Sequence, residues 1–587
     1  MGRVADKAGV TGFSAPHCGS LRSADEGKDV ELYGWVARRR DHGGVTFIDL
    51  RDRWGAVQVV LRNAGAEVRL EYVVRVRGEV ARRPQGSENP RMATGEIEVV
   101  AEELEVLSRS ETTPFPIEDP EEPDEKTRLE YRYLDLRRPQ MTRMLELRNR
   151  VNRIIRDYME EREFIEVETP ILTRSSPSGA RDFLVPSRLH PGNFYALPQA
   201  PQVLKQLLMV SGVQRYYQIA RCFRDENLRA DRQPEFTQLD VEMSFCDEED
   251  VFGLIEGLFA ELWQKVLGVT LNVPFPRLDI KESFLRFGTD KPDLRYELEI
   301  ADLGDILAGT RAEIFRRVLT SGGAVRGLAV PGGKDLSRRD LDELVTLAKG
   351  AGGQGLAWLP GGPLDKFLSE QEVAGIKQLT GARDDDLVLI VADRRRKAET
   401  VIGLVRQEIA RRRRLIREGE WKFLWINPTY LFDEDDQGKL TYAHHPFTRP
   451  FADDMPFVDE RPYDVRAHAY DIVCNGYELG GGSLRIYDPR MQERVFQLLG
   501  MPLDLIRERF GTLLEAFTYG VPPHGGIAPG IDRIVMMLGG TDNIRDVIAF
   551  PKTQSMSDLM LGAPSDVDSE QLEELRLRVV PAKQPGS

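Results

Sequence analysis

Two segments that lie far apart in the chain contain charged residues suited to binding a nucleotide. Residues 223–226 have the sequence FRDE, and residues 525–533 form a glycine-rich strand-to-helix turn that ends in Ile-Asp-Arg. A guanidinium presents several donors that match the geometry of a phosphate, whereas a carboxylate accepts a hydrogen bond from an amino group. These residue types predict that Arg224 and Arg533 contact phosphates and that Glu226 binds the amino edge of adenine.

The two segments resemble motifs 2 and 3 of the class II aminoacyl-tRNA synthetases. The residues around them narrow this resemblance to the bacterial-type aspartyl-tRNA synthetases, and it extends over nearly the whole chain. The resemblance implies an enzyme that uses ATP and Mg²⁺ to convert L-aspartate to aspartyl-adenylate, and that transfers the aspartyl group to the 3′ end of tRNA-Asp. Because the attacking carboxylate and the α-phosphate are both anions, such a site must neutralise charge, align the two groups and bind a cation.

The resemblance implies a role for each residue of the nucleotide site. Arg224 matches the arginine that contacts the α-phosphate and the attacking carboxylate, and Glu226 matches the residue that recognises adenine. Phe236 is placed to stack under adenine, while Arg533 stacks on the other face and reaches the γ-phosphate. For any one residue a surface salt bridge or core packing is the commoner explanation, so the prediction depends on the ordered set. The expected catalytic residues are Arg224 and Arg533, the expected ATP-binding residues are Arg224, Glu226, Phe236, Glu478 and Arg533, and the expected metal ligands are Asp471 and Glu478.

Selection of aspartate requires positive charge opposite its side-chain carboxylate. In the family that this chain resembles, the positions of Lys205 and Arg485 hold that carboxylate, Asp240 fixes Lys205, and Gln202 lies near the substrate. An arginine fork rejects asparagine because a neutral amide cannot replace the charged bidentate pair. These residues predict specificity for aspartate.

Two adjacent histidines, His444 and His445, resemble the family's pair that senses bound amino acid. A metal site is the alternative, but adjacent side chains of a strand point to opposite faces, which favours the family role. The expected aspartate-binding residues are Ser178, Gln202, Lys205, Asp240, His444, His445 and Arg485.

Four positions depart from the family's pattern. Ser178 stands where the family usually has a glutamate that helps to bind the substrate ammonium, and Ala200 stands where it usually has serine. Loss of both groups is expected to weaken ammonium binding by about 1–3 kcal/mol. Pro529 replaces a large apolar residue, and Asn427 replaces a common aspartate. The departures leave open a non-catalytic paralogue that binds RNA, but the intact set of ATP-site residues favours an enzyme.

The N-terminal region has the pattern of a small barrel. Between residues 29 and 107, five short apolar segments predict five strands, and the first hairpin contains the basic run 38–40. This combination indicates an OB-type barrel, a common oligonucleotide binder. By resemblance, Phe47 stacks on the middle anticodon base and Gln58 contacts base edges and phosphates together with Arg40, although core packing is an alternative for Phe47. The expected anticodon-binding residues are Arg40, His42, Phe47 and Gln58.

His42 bears on the choice of tRNA. Enzymes of the family that charge only tRNA-Asp tend to have leucine at this position, and those that also charge tRNA-Asn tend to have histidine. We therefore predict a relaxed enzyme that also makes Asp-tRNA-Asn for a downstream amidotransferase. A strictly tRNA-Asp-specific enzyme is the alternative.

The remaining patterns define the elements that position these residues. Apolar residues at helical spacing between 147 and 158, followed by a strand that ends at Pro170, resemble motif 1, which forms the homodimer interface of the family. Glycine-rich turns between 290 and 417 predict an inserted α+β domain. The expected fold is a multidomain α+β protein in which an OB-type barrel precedes a class II antiparallel sheet with flanking helices. The predicted domains are an OB-type anticodon-binding domain (1–112), a linker (113–128), a first catalytic segment with motifs 1 and 2 (129–289), the inserted domain (290–417), a second catalytic segment with motif 3 (418–560) and a C-terminal extension (561–587).

Length and composition limit the class of protein. A chain of 587 residues is too long for one core, and 41% hydrophobic and 30% charged residues are typical of soluble globular proteins. No apolar run approaches the ~20 residues that span a bilayer, so we expect a cytoplasmic protein without a membrane partner. The net charge of −15 alone argues weakly against nucleic acid, but clustered basic residues suffice to bind RNA. The four cysteines are widely separated, which argues against a disulfide framework or a zinc site.

Other nucleotide-binding families are disfavoured by their missing signatures. Neither of the class I synthetase sequences HIGH and KMSKS occurs, and there is no Walker P-loop. Asparaginyl and lysyl enzymes share the fold and the barrel, but Lys205, Arg485 and the large insertion argue against both.

Overall fold

The structure, a computed structural model, describes residues 15–62, 68–118, 121–175, 181–434 and 438–580. Ser178 lies outside the described residues. The chain divides into two compact units. The first contains the described residues up to Asn149, with Leu228–Ala230 and Asn543–Asp566, and the second contains Arg150–Asn227, Asp231–Asp542 and the described residues from Val567 onward. The domain boundaries expected from the sequence stay predictions.

The first unit contains a closed barrel of five strands. The strands are β1 Asp29–His42, β2 Val45–Asp52, β3 Gly55–Leu61, β4 Val73–Arg82 and β5 Ile97–Ser108, followed by helices α1 Glu125–Glu130 and α2 Arg132–Asp135 and by α3 Pro139–Glu160, which continues past Asn149. Their order around the barrel is β1-β2-β3-β5-β4. Alternate residues such as Leu32, Ile48 and Val59 fill the interior, because successive side chains of a strand face opposite sides. The OB-type barrel is thereby confirmed.

The second unit contains the remaining strands and helices. The strands are β6 Ile165–Glu166, β7 Leu184–Pro186, β8 Phe194–Ala196, β9 Arg215–Phe223, β10 Glu235–Ser244, β11 Arg277–Leu278, β12 Ile300–Asp302, β13 Ala324–Val330, β14 Ala357–Leu359, β15 Leu387–Asp393, β16 Phe423–Ile426, β17 Thr429–Tyr430, β18 Phe432–Glu434, β19 Leu440–Tyr442, β20 Arg466–Ala467, β21 Ala469–Cys474, β22 Tyr477–Leu484 and β23 His524–Pro529. The helices are α4 Gln202–Val210, α5 Glu248–Leu267, α6 Ile280–Phe287, α7 Glu313–Thr320, α8 Arg338–Gly350, α9 Glu370–Thr380, α10 Arg395–Arg412, α11 Pro489–Leu498, α12 Leu503–Phe517, α13 Ile531–Gly539 and α14 Ser569–Glu574.

The main sheet of this unit has eight strands in the order β11-β16-β21-β22-β23-β10-β9-β6. The two outermost pairs are parallel and the others are antiparallel. Helix α5 begins with a capping box between Asp247 and Asp250 and packs on the sheet through Phe252, whose ring centre lies 4.3 Å from that of Trp425. A mostly antiparallel sheet with flanking helices is the α+β fold that the sequence predicts.

A separate four-stranded sheet is built from the chain between β11 and β16. Its order is β12-β13-β15-β14, and helices α7 to α10 lie between or after its strands. Leu328, Leu389 and Val401 belong to its fully buried core. This α+β region lies within the inserted segment predicted from the glycine-rich turns.

Candidate active site

The central strand β10 places two acidic residues on the same face of the sheet. Asp240 and Glu242 are two residues apart, so both side chains point to one side, and both are fully buried. Glu242 pairs across the strands with Gly526 of β23. A Cβ atom on Gly526 would lie 2.2 Å from Glu242 Oε2 and 2.0 Å from the Val241 carbonyl oxygen, so only glycine leaves room for this carboxylate.

Two buried cations bind the two carboxylates. Lys205, in helix α4, has its Nζ 2.7 Å from Asp240 Oδ1 and 3.2 Å from Glu242 Oε2. Arg485, which follows β22, donates from Nε and Nη2 to the two oxygens of Glu242 at 2.8 and 3.0 Å. The structure therefore brings together Lys205, Asp240 and Arg485 as predicted, and it adds Glu242 as the shared partner of both cations.

Burial and pairing determine the ionisation of this network. Burial raises the pKa of Glu242, but the charges of Arg485 and Lys205 outweigh burial and lower the pKa from 4.5 to about 2. Burial raises the pKa of Asp240 above 3.8, although Lys205 opposes this effect. Burial also lowers the pKa of Arg485, but Glu242 outweighs it and the net pKa is raised. Glu242 and Arg485 thus form a fully charged pair at neutral pH.

His445 contacts the same guanidinium. Arg485 Nη1 donates to His445 Nε2 at 2.5 Å and to Ser483 Oγ at 2.7 Å. Burial and the nearby Arg485 lower the pKa of His445 well below 6.5, so the ring is neutral at pH 7. On the other side of the ring, Nδ1 accepts from the Phe447 N–H at 3.2 Å and lies 3.3 Å from Thr448 Oγ1. Within the described residues, these contacts leave Arg485 one N–H, on Nη2.

His444 points to a different group from its neighbour. Its Nδ1 lies 3.8 Å from Asp471 Oδ1, and its Nε2 lies 2.9 Å from Thr429 Oγ1. Burial lowers the pKa of His444 below 6.5. The two histidines therefore do not form one metal site; one lies against Arg485 and the other against an acidic residue.

Asp471 and Glu478 come from the adjacent strands β21 and β22. A Cβ atom on Gly481 would lie 2.6 Å from Asp471 Oδ1, so this glycine leaves room for that carboxylate, and Glu478 Oε1 lies 3.9 Å from the same point. Burial, together with the charges of Glu478 and Asp290, raises the pKa of Asp471 well above 3.8. Two carboxylates that repel each other fit a hard cation such as Mg²⁺. Among the residues that the structure describes, no group of three or more His, Cys, Asp or Glu is suited to a metal, so this site offers a carboxylate pair.

Arg224 and Phe236 meet at the end of the β9–β10 hairpin. The guanidinium carbon of Arg224 lies 5.0 Å from the centre of the Phe236 ring. The Arg224 N–H donates to the Pro234 carbonyl at 2.8 Å, which closes the connecting loop. In that loop, Glu226 accepts a hydrogen bond from Arg232 Nη1 at 3.2 Å.

Arg533 lies in the first turn of α13. Its Nη1 donates to the Glu478 carbonyl at 2.7 Å, and its Nη2 lies 3.2 Å from Asp231 Oδ2. The Thr237 N–H of β10 donates to Asp532 Oδ2 at 2.7 Å, which ties the start of α13 to the hairpin. The two segments that the sequence singles out are therefore neighbours in the structure.

The other predicted aspartate-binding residues are less directly connected. Gln202 donates from Nε2 to Gln206 Oε1 at 3.3 Å. Ser178 lies outside the described residues, but Asp182, next along the same segment, accepts from Ser175 Oγ at 2.6 Å and from Gln199 Nε2 at 2.5 Å. No contact in the described chain joins Gln202 to Arg485, so its role stays a prediction.

Several residues of the network were not singled out from the sequence. They are Glu242, Ser483, Gln206 and His524, of which Gln206 Nε2 lies 3.2 Å from His524 Nε2. Only Glu242 had a detectable sequence signal, because it follows Asp240 at the two-residue spacing of a strand face.

In the first unit, a polar cluster lies on the outer face of the barrel. Arg40 donates from Nη2 to Asp49 Oδ1 and to Gln58 Oε1, both at 3.1 Å. Gln58 in turn donates from Nε2 to Glu98 Oε2 at 2.8 Å. Arg40 and Gln58 are therefore together, and Asp49 and Glu98 are neighbours that sequence reasoning missed.

Phe47 lies beside this cluster, and His42 lies at the tip of the hairpin. Phe47 pairs with Arg40 across the strands and is half-buried, whereas the next residue, Ile48, is fully buried in the barrel core. This position disfavours the core-packing alternative for Phe47. His42 is exposed and precedes Gly43 and Gly44, whose φ angles of 58° and 82° form the turn.

Comparisons with known proteins show the family to which the chain belongs. Residues 124–554 match the family of tRNA synthetases class II (D, K and N), and residues 30–107 match the OB-fold nucleic acid binding domain. The chain is 53% identical to an aspartate–tRNA(Asp/Asn) ligase of Moorella thermoacetica, over 97% of this chain and 98% of the relative. It is 51% identical to an aspartate–tRNA(Asp/Asn) ligase of Salinispora arenicola, over 94% of each chain.

Solved structures share the fold at lower sequence identity. The asparaginyl-tRNA synthetase of Pyrococcus horikoshii, complexed with asparaginyl-adenylate, has a TM-score of 0.58 at 19% identity and covers 92% of this chain and 98% of its own. The aspartyl tRNA synthetase of Entamoeba histolytica has a TM-score of 0.55 at 17% identity and covers 92% of each chain. Within the described residues, no helix is both long and apolar enough to cross a membrane.

Proposed function

Because the chain belongs to the class II tRNA synthetases of the D, K and N family, we propose that it is an aspartate–tRNA ligase. It activates L-aspartate with ATP and transfers the aspartyl group to the 3′ end of tRNA-Asp. The observation that carries the choice of amino acid is the buried pair of cations, Lys205 and Arg485, joined by Glu242. The remaining hydrogen-bond donors of these cations favour a side chain that only accepts hydrogen bonds, as a carboxylate does.

Discrimination against asparagine follows from this charge pattern. The free N–H on Arg485 Nη2 and the ammonium of Lys205 donate to the side-chain carboxylate of aspartate. The amide of asparagine would bring its own N–H donors against these two donors, whereas both oxygens of a carboxylate accept hydrogen bonds. His445 is neutral and holds Arg485 Nη1 in place, so the guanidinium keeps its orientation.

Adenylate formation requires an in-line attack of the aspartate α-carboxylate on the α-phosphate. Arg224 contacts both anions and reduces their repulsion, while Phe236 supports the adenine ring. Glu226 accepts from the adenine amino group, and Arg533 binds the phosphate end of the nucleotide. These contacts align the reacting groups and stabilise the charge that develops on the phosphate oxygens.

The carboxylate pair fits Mg²⁺. Asp471 and Glu478 would hold it through their carboxylate oxygens, which are the ligands that this ion prefers. When bound, Mg²⁺ neutralises charge on the phosphates and on the pyrophosphate that leaves.

The barrel provides the contacts for the anticodon. Phe47 stacks on a base, while Arg40 and Gln58, held together on the outer face, contact phosphates and base edges. His42 at the exposed hairpin tip supports relaxed specificity for tRNA-Asp and tRNA-Asn, in keeping with the names of the two relatives. Asp-tRNA-Asn would then pass to an amidotransferase.

We also propose that the protein is a homodimer. Strand β6, within the segment that resembles motif 1, lies at the edge of the main sheet and exposes 53% of Ile165. An exposed apolar edge strand favours pairing with a second copy. Sedimentation equilibrium should give twice the mass of the chain, and a monomer at micromolar concentration would contradict the dimer.

The function is tested by two measurements on the purified chain. ATP–pyrophosphate exchange should depend on aspartate and not on asparagine; no exchange with aspartate would favour a non-catalytic paralogue. Charging of purified tRNA-Asp and tRNA-Asn with labelled aspartate should then succeed with both. His42→Leu is the matched variant, and it should reduce charging of tRNA-Asn more than charging of tRNA-Asp. Charging of tRNA-Asp alone by the unaltered chain would refute the relaxed specificity.

A further inference from the structure

The loop between β9 and β10 contains two neighbouring residues of opposite charge, Asp231 and Arg232, that the proposed reaction does not use. Asp231 Oδ2 lies 3.2 Å from Arg533 Nη2, and the Asp231 carbonyl oxygen lies 3.5 Å from Arg533 Nε. Arg232 Nη1 donates to Glu226 Oε2 at 3.2 Å. Consecutive residues thus bind the two side chains assigned to the phosphate end and the adenine edge of ATP.

The chemistry of each pair matches the contact that the nucleotide would make. A carboxylate on Arg533 presents an anion with oxygen acceptors, as a phosphate does. A guanidinium on Glu226 presents N–H donors, as the adenine amino group does. The order of the two charges matters. If the aspartate and the arginine exchanged positions, like charges would face Arg533 and Glu226, and both contacts would be repulsive.

We propose that Asp231 and Arg232 are intramolecular competitors of ATP for Arg533 and Glu226. The nucleotide binds by replacing both side chains, and the loop closes the site again when the nucleotide leaves. This inference rests on the proposed function, because it takes Glu226 and Arg533 as ATP contacts.

Because both ion pairs are partly exposed to solvent, the nucleotide can replace the Asp231 and Arg232 side chains at low energetic cost. The side chains of Arg533 and Asp231 are 19% and 22% exposed, and those of Arg232 and Glu226 are 35% and 31% exposed. Partly solvated ion pairs are weak, so neither pair holds the loop strongly. Arg533 also donates from Nη1 to the Glu478 carbonyl at 2.7 Å, and this contact keeps the guanidinium in place when Asp231 moves away.

Removal of either competitor should strengthen ATP binding. From the energies of exposed ion pairs, Asp231→Asn and Arg232→Gln should each lower the Kd for ATP by about 1.5- to 5-fold. The double variant should bind ATP at least as tightly as either single variant. The Kd is measured by calorimetry on the full-length protein, with thermal melting to show that each variant is folded.

A matched control lies in the same hairpin. Arg221 and Glu235 form an ion pair with 43% and 39% exposure, and among the described contacts neither residue binds Glu226 or Arg533. Glu235→Gln therefore removes an ion pair close to the loop, and it leaves the contacts of Glu226 and Arg533 unchanged. Its Kd for ATP should equal that of the unaltered protein.

Binding of two fragments of ATP, tripolyphosphate and adenosine, distinguishes competition at one contact from a general loosening of the loop, which would affect both fragments. Asp231→Asn should tighten binding of inorganic tripolyphosphate and leave adenosine unchanged, whereas Arg232→Gln should tighten binding of adenosine and leave tripolyphosphate unchanged. Weaker binding of ATP by the variants, or an unchanged Kd, would overturn the competition while the proposed function stands. No ATP binding by the unaltered chain would instead contradict the proposed function, and the competition with it.

Discussion

Glu242→Gln removes the negative charge that lies between Lys205 and Arg485, and its effect can be calculated from the structure. The pKa of Glu242 is lowered from 4.5 to about 2 in the folded protein. Because one pKa unit corresponds to ~1.36 kcal/mol, the charged form stabilises the fold by about 3 kcal/mol at neutral pH. An independent comparison agrees, since breaking a buried ion pair by removing one partner costs about 3–5 kcal/mol.

The sign of the pH dependence follows from the direction of this pKa. The folded pKa lies below the unfolded value, so the stabilisation is complete above about pH 4.5 and is lost as the pH falls towards 2. Glutamine at this position does not titrate. The difference in unfolding free energy between the unaltered protein and Glu242→Gln should therefore be about 3 kcal/mol at pH 7, and it should decrease by about 1 kcal/mol at pH 4.

Urea unfolding followed by tryptophan fluorescence measures this difference. Trp425 is fully buried in β16 of the same sheet, so its emission reports on the second unit. Glu235→Gln is the control, because Glu235 lies in the same strand but in an exposed ion pair that is worth less than about 1 kcal/mol. If Glu242→Gln destabilises no more than Glu235→Gln, or if their difference does not change with pH, the network does not stabilise the fold as argued.

Three further changes test the assigned roles. Arg485→Lys should raise the KM for aspartate about 30- to 150-fold, as expected for the loss of about 2–3 kcal/mol of charged hydrogen bonds. The KM for ATP in the exchange assay should stay within a factor of two, and an equal rise in both KM values would contradict a role in aspartate binding. Phe47→Ala should raise the KM for tRNA about 5- to 150-fold through lost stacking, with unchanged aspartate-dependent exchange, and an unaltered KM for tRNA would remove Phe47 from the anticodon surface. Burial and Arg485 lower the pKa of His445 below 6.5, so the neutral ring contributes to the free energy of unfolding above about pH 6.5, and this contribution decreases at lower pH. His445→Gln should abolish this pH-dependent contribution. Melting temperatures at pH 7.5 and 5.5 measure this contribution. If the melting temperature falls equally between the two pH values in the unaltered protein and in His445→Gln, the assignment is refuted.

Much of the fold was accessible from local patterns. The alternation in β1, with Leu32 inward and its neighbours outward, predicts a barrel strand without any knowledge of its partners. The helix α3 follows from apolar spacing in the same way. The lengths and types of such elements depend on residues close in sequence, and this is why they were predicted well.

The candidate site was predicted only incompletely. Lys205, Asp240 and Arg485 were identified through the resemblance, and the structure places all three in one network. Glu242 was missed because its partner Arg485 is 243 residues away, and no local pattern indicates which distant cation meets a buried acid. The meeting of Glu242, His445 and Ser483 at the guanidinium of Arg485 likewise depends on the order of strands.

The sequence by itself determined the element types, the five strands of the barrel and the identity of the charged residues that match the family. Only the tertiary structure decided which charges meet: Glu242 with Lys205 and Arg485, Asp231 with Arg533, and His444 and His445 with different partners. The physical reason is that backbone geometry and side-chain periodicity act over a few residues, whereas ion pairing depends on strand order and register. That order brings β10, β22 and β23 together from distant regions of the chain, and burial then strengthens the interactions between their charges.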